Sequence, residues 1–240
     1  MATKSSRQLL PILLAAGSLV VGAALGVAMN RSPDNSSKLA ADHPNPAEAK
    51  QLETLQRDLQ NSLVLPSDFK QVPAFSLLNV NAEPIDESVF TGQWSIVFFG
   101  FTHCPDVCPI TLTVMKDVVE NLASANIPQP QTLFVTVDPK RDTPEIMKQY
   151  ISYFNEDFIG VTGDLGAIHG LTSALGIVAA YTVREDNPEE YDVDHTASML
   201  LIDPQGRMRG KFTAPHTADS IVADYTAIVN ALAPLQKAQL

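Results

Sequence analysis

Two cysteines occur in the 240 residues, and both lie in one short stretch, G-F-T-H-C-P-D-V-C-P, over residues 100–109. Cys104 and Cys108 are separated by three residues. Two thiolates on one short loop can close a disulfide or grip a soft metal ion. A C-x-x-C loop would point to a dithiol oxidoreductase. C-x-x-x-C opens the loop by one residue and leaves room for an ion between the sulfurs. Two soft donors suit Cu(I), whereas zinc usually takes four ligands, so a third ligand is worth seeking. Pro105 and Pro109 each follow a cysteine and restrict the loop. The plain alternative, two buried small apolar residues, fits poorly with a chain that places its whole cysteine complement in five positions.

Five histidines are available, at 43, 103, 169, 195 and 216. For any one of them a structural role is the default. His103 adjoins Cys104, but neighbouring side chains in extended backbone point apart. His195 stands out: it sits at the start of the last apolar hairpin, in D-V-D-H-T-A, directly after an acidic run containing Glu185, Asp186, Glu189, Glu190, Asp192 and Asp194. The run reads as a solvated loop. Asp138, between a strand and a proline, is of a type that often simply forms a turn. Arg141 and Asp142 could pair with each other or cap the following helix.

The elements around these residues spell an α/β domain. Residues 94–100 (WSIVFFG) and 132–137 (TLFVTV) have the unbroken apolar character of strands buried on both faces. Between them, residues 110–123 carry apolar side chains at helical spacing, with Pro109 suited to the first helical position. The cysteines then fall in the turn after a buried strand and before a helix, where α/β folds place their sites. A helix N-terminus there would lower a thiol's pKa. Thr143-Pro144-Glu145 opens a helix running to about 154. Further along come a short strand over 158–161, a helix over 165–175, a strand over 177–183, a hairpin over 197–202 and 207–212, and an amphipathic helix over 219–232. This order is a thioredoxin-like layout with an added hairpin and a partly parallel sheet covered on both faces.

Residues 9–29 contain no charge and are long enough to span a bilayer, at about 1.5 Å per residue. Lys4 and Arg7 precede them, which predicts that the N-terminus stays in the cytoplasm and the rest is exported; the run is longer than a signal-peptide core, which favours an uncleaved anchor over the competing reading, a cleaved signal peptide. The expected organisation is a cytoplasmic tip and signal anchor over 1–30, a tether with a short amphipathic helix near 48–64 over 31–67, and a folded domain over 68–240. The helix is marked by Leu52, Leu55, Leu59 and Leu63. The chain carries a formal net charge of −11, with 27 acidic against 16 basic residues, which argues against nucleic acid as a partner.

Four motifs occur in order: W-S-x-V-F-F-G-F-T-H-C-P-D-V-C-P (94–109), F-V-T-V-D-P-x-R-D-T-P-E (134–145), F-I-G-V-T-G (158–163), and V-D-H-T-A (193–197) followed by L-I-D-P-x-G (201–206). Together they resemble the Sco/SenC family over roughly residues 70–235. The resemblance implies a membrane-tethered, thioredoxin-like copper-binding protein that helps assemble the binuclear copper site of cytochrome c oxidase. By the same resemblance, copper is held by Cys104, Cys108 and His195, and Asp138 supports the site from the end of the second strand. The implied partners are the copper-site subunit of the oxidase and other copper carriers or thiol–disulfide proteins. The implied location is the bacterial inner membrane, single-pass, with the domain on the periplasmic side. The competing reading is an enzyme, a thiol–disulfide oxidoreductase that reduces the cysteines of the oxidase copper site through a reversible Cys104–Cys108 disulfide.

Overall fold

The computed structural model describes residues 46–183, 187 and 191–237. The apolar segment 9–29 and most of the tether lie outside them, and among the described residues no helix is long and apolar enough to cross a membrane.

Among the described residues, ten strands and five α-helices follow one another as α1 (Pro46–Asp58), β1 (Ser62–Val64), β2 (Leu77–Asn79), β3 (Pro84–Ile85), β4 (Ser95–Gly100), α2 (Val107–Ser124), β5 (Gln131–Thr136), α3 (Pro144–Ser152), β6 (Ile159–Thr162), α4 (Leu165–Leu175), β7 (Ala179–Val183), β8 (Tyr191–His195), β9 (Met199–Ile202), β10 (Met208–Phe212) and α5 (Ala218–Lys237). Eight strands form one sheet in the order β1-β10-β9-β4-β5-β6-β2-β3. Its centre, β4-β5-β6, is parallel, and β9 lies antiparallel against β4. Every residue of β4 is buried, which is why it reads as an uninterrupted apolar run. One face of the sheet carries α1, α2, α3 and α5 through Phe98, Leu112, Met115, Phe134, Met147 and Tyr225. The other face is covered through Phe99, Leu133, Val135, Ile168 and Leu171. This is the mixed α/β, thioredoxin-like layout expected.

Local chemistry explains several boundaries. Thr143 accepts a hydrogen bond from the Ile146 N–H and Pro144 fills the first turn, so α3 starts where the sequence places it. Gly176 takes the left-handed conformation that ends α4.

Other boundaries differ from expectation. The helix expected near 48–64 ends at Asp58, and Leu63 lies exposed on β1. Leu52, Leu55 and Val64 are buried in the domain core, and β1 pairs with β10, so the packed unit reaches back to Pro46. A buried ion pair, Arg209 Nη2 to Glu48 Oε1 at 2.7 Å, ties α1 to the sheet. α2 starts at Val107, so Pro109 is its third residue and Cys108 sits inside its first turn.

The largest difference concerns His195. It belongs to a separate two-stranded antiparallel unit, β7-β8, in which it pairs with Ala179, and not to the β9-β10 hairpin. The acidic run conceals the strand. Tyr191, Val193 and His195 are half-buried while the alternating Asp192 and Asp194 are exposed, a period of two that the charges mask. Glu185, Asp186, Glu189 and Glu190 lie outside the described residues.

Candidate metal centre

The segment between β4 and α2 runs along the carboxyl end of the parallel strands. Its two ends are fixed by strand burial and by the first turn of α2. The Cys104 N–H donates to the Phe101 carbonyl at 3.2 Å and folds the loop back on itself. Cys104 is half-buried and packs against the cores on both faces of the sheet, whereas Cys108 is fully buried. Both are free thiols. Gly100 makes this seating possible. A Cβ there would stand 2.7 Å from Cys108 Sγ and 2.7 Å from a ring carbon of Phe134, closer than real contacts allow. The strand end must therefore be bare for the sulfur to lie against it.

His195, the last residue of β8, reaches the same point from the opposite side. Its Nε2 is 3.5 Å from Cys108 Sγ, and its Nδ1 is 3.1 Å from the Thr196 carbonyl oxygen. The carbonyl can only accept, so Nδ1 carries the proton and Nε2 presents its lone pair to the sulfurs. Phe98 and Phe101 hold the imidazole edge-on, with ring centroids 6.2 and 5.8 Å away. Sγ of Cys104, Sγ of Cys108 and a ring nitrogen of His195 all lie within 4.8 Å of one another. Among the described residues these three form the one such metal-competent group.

The electrostatics depart from the sequence expectation in one respect. The positive end of α2 should lower a nearby thiol's pKa, yet burial pushes the Cys108 thiol well up, against a weaker opposing hydrogen bond from the Phe101 backbone. Desolvation of the buried sulfur is the dominant cause. A metal must therefore displace the Cys108 proton. Burial also pushes the His195 pKa down, so its imidazole is neutral near pH 7 and ready to donate. Two sulfurs and one imidazole nitrogen, partly open to solvent through Cys104, are a donor set for a soft, low-coordinate cation such as Cu(I).

The other histidines are elsewhere. His103 turns to Thr102 Oγ1 at 3.0 Å and Asp142 Oδ1 at 3.7 Å, away from the sulfurs. His169 is exposed on α4, and His216 Nε2 lies 2.8 Å from the Ala197 carbonyl. His43 lies outside the described residues.

Asp138 holds the histidine's hairpin and does not touch the ligands. Its carboxylate accepts from the Tyr191 hydroxyl at 2.6 Å and from Arg141 Nε. The Arg141 guanidinium stacks 4.2 Å over the Tyr191 ring, and the Tyr181 hydroxyl donates to the Val137 carbonyl. The end of β5 thus grips one end of β7-β8, while His195 occupies the other. Neither expectation for Arg141 and Asp142 holds, because Arg141 pairs with Asp138 and Thr143 caps α3.

Asp142 is the residue sequence reasoning missed. It is fully buried, and its carboxylate accepts from the Thr102 N–H at 3.0 Å, the Thr102 hydroxyl at 2.6 Å and the Thr136 hydroxyl at 2.6 Å. It fixes the start of the cysteine loop to the end of β5. The signal, three hydroxyl or carboxylate residues scattered over 40 positions, appears only once the strands are side by side.

A family model described as SCO1/SenC matches residues 66–230. A Stutzerimonas stutzeri protein named for copper binding is 36% identical over 164 residues, covering 68% of this chain and 79% of that protein. Two solved structures, both with copper bound, share the fold. ScoI of Arabidopsis thaliana gives a TM-score of 0.62 at 28% identity over 67% of this chain and 99% of that one. Yeast Sco1 gives 0.64 at 27% identity over 70% and 93%.

Proposed function

Since this chain belongs to the SCO1/SenC family, we propose that it is a copper-binding assembly protein that hands copper, as its cargo, to the binuclear copper site of cytochrome c oxidase. The observation that carries this reading is the convergence of Cys104, Cys108 and His195 from a loop, a helix turn and a separate hairpin. Relatives named for copper or solved with copper bound support it. The cysteine pair supplies two thiolates, Nε2 of His195 completes a three-coordinate Cu(I) site, and Cys104 and His195, the two ligands that are only half-buried, are the ones an incoming acceptor can reach. A shallow cleft beside it, lined by Phe101, Pro105, Asp106, Val107, Val193 and Asp194, gives access.

The same two thiols can also act as a redox pair, and this is the basis of the reductase alternative. The two states exclude each other, because a disulfide offers no thiolate ligands. The test is a Cu(I) titration of the reduced protein against a competing chelator, repeated after oxidation. The expected result is one copper per reduced chain and none per oxidised chain. Equal stoichiometry in both states would overturn the thiolate assignment.

Residues 9–29 anchor the chain, and the domain faces the periplasm of the bacterial inner membrane. The uncharged length of the segment and the basic residues before it support this placement. An export-dependent reporter fused after Leu240 should be active, and a cytoplasm-dependent one silent; the reverse pattern would refute the orientation.

A further inference from the structure

The outer face of α2 is apolar where a surface helix is usually polar, and only over about its first two turns. Val107 is 42% exposed and Ile110 57%, and Val114 follows at the spacing that puts all three on one stripe. Beyond Val114 the exposed positions are Lys116, Asp117, Glu120 and Asn121. The apolar part is therefore confined to the end of the helix that carries Cys108. Across from it, just past the end of α3, Tyr153 is 84% exposed. Between them lies an open groove of about 350 Å³, lined by Pro109, Ile110, Thr113, Val114, Tyr153 and Phe154. Val114 and Phe154 pack on the core and give the groove a fixed floor, and the Tyr153 ring stands edge-on to Phe154 at 5.3 Å between centroids.

The metal centre opens at the same place. Val107 belongs both to this stripe and to the lining of the cleft that holds Cys104 and His195. Cleft and groove thus form one continuous surface along the start of α2. The two parts differ in charge. The groove carries none, while Asp106 and Asp194 line the cleft and are exposed. Asp106 stands at the N-cap position of α2, where an aspartate ordinarily bonds to the helix's own N–H groups, yet its side chain makes no capping bond. Among the described residues, no lysine or arginine lines either part.

These features choose among occupants. A small polar ligand needs convergent polar groups, and the groove offers only the side-chain hydroxyls of Thr113 and Tyr153. A second copy of this chain would bring one acidic lip against another in a two-fold contact, on a chain of net charge −11. A protein that presents an apolar side chain beside basic residues meets both parts at once.

We propose that this surface docks the copper acceptor, which seats an apolar side chain between Ile110 and Tyr153 and sets lysine or arginine residues against Asp106 and Asp194. The proposal rests on the copper reading above and adds how the acceptor is recognised. Docking there brings the acceptor's own ligands to the mouth of the cleft that holds Cys104 and His195.

The test uses the full chain loaded with Cu(I) and, as acceptor, the copper-depleted copper-site subunit of cytochrome c oxidase. Ile110→Gln, Tyr153→Ser and Asp106→Asn are compared with the parent; all three replace exposed side chains other than the ligands. At low acceptor concentration, Cu(I) transfer to the subunit should slow about tenfold for each groove variant, the loss typical of a truncated interface anchor. Release of Cu(I) to a small chelator needs no docking and should stay within about twofold of the parent. Added salt should slow the parent's transfer, and Asp106→Asn should transfer more slowly than the parent at low salt but respond less to salt. Groove variants that transfer at the parent's rate overturn the proposal and leave the copper reading intact. Equal slowing toward the chelator also overturns it, because the substitutions then act on the metal site itself. So does a changed oligomeric state in sedimentation, because the groove then joins copies of this chain. A parent that holds Cu(I) but gives none to the subunit overturns the docking and the delivery step while copper binding stands. If the parent takes up no Cu(I), the copper reading falls and calorimetric titration of the metal-free chain with the subunit decides the docking. Binding that the groove substitutions weaken about tenfold then supports it, and binding that is absent or unaffected overturns it.

Discussion

Replacing His195 with alanine should lower Cu(I) affinity by about a hundredfold or more, whereas replacing His103 should change it by less than about twofold. The imidazole nitrogen is one of three donors within 4.8 Å. Without it, two thiolates hold Cu(I) in a linear site that competing ligands enter easily, and each tenfold is about 1.4 kcal/mol. His103 is nearer in sequence but faces Thr102 and Asp142, so its removal leaves all three donors in place. The fold should survive the His195 change. The β7-β8 unit is held at its other end by Tyr191 and Tyr181, so the loss of stability should be about 1 kcal/mol, from the edge contacts with Phe98 and Phe101. Chelator competition on each reduced variant reads the affinities, and thermal unfolding reads the stabilities. Thiol–disulfide exchange in the His195 variant should stay near the parent rate, which separates copper transfer from reductase chemistry. The parent's affinity should also rise with pH. Burial keeps Cys108 protonated through neutrality, so below its raised pKa each unit rise in pH strengthens metal binding about tenfold for that proton alone. Loss of affinity in the His103 variant with none in the His195 variant would refute the ligand assignment.

What the sequence made legible follows a physical division. β4 and β5 were readable because strands buried on both faces must be apolar throughout, and α3 was readable because Thr143 and Pro144 together satisfy a helix start. The cysteine loop was readable from two residues alone. β8 was not, because its outward positions are aspartates and its inward ones are Tyr191, Val193 and His195, which average to a polar segment. The hairpin that bears the third donor was consequently misplaced, although the residue itself was singled out through the family resemblance. The thiol's pKa was misjudged for a related reason. The full burial of Cys108 is set by packing across the sheet, and desolvation there raises the thiol's pKa. Asp142 acts through contacts made across the sheet, and local sequence carries no mark of those.

Asp142→Ala should destabilise the domain by about 4 kcal/mol, a large fraction of the roughly 5–15 kcal/mol that typical domains have. Its carboxylate receives one N–H and two hydroxyls, from the buried Thr136 and the half-buried Thr102. Hydrogen bonds to a charged group contribute about 1.5–3 kcal/mol each, and truncation also leaves the buried Thr136 hydroxyl without its acceptor. The cost should therefore drop if the donors are removed as well. Thr136→Val alone takes away one hydroxyl and should cost about 1.5 kcal/mol. The double variant Thr136→Val/Asp142→Ala should be less destabilised than the sum of the two single changes, by about 1–2 kcal/mol. Because Thr102 stands two residues before Cys104, the same loss should loosen the cysteine loop and weaken Cu(I) binding even under conditions where the chain remains folded. Denaturant unfolding of the parent, both single variants and the double variant gives the coupling directly. Strict additivity, or a cost below about 1 kcal/mol for Asp142→Ala, would mean that the buried carboxylate does not hold the loop to β5.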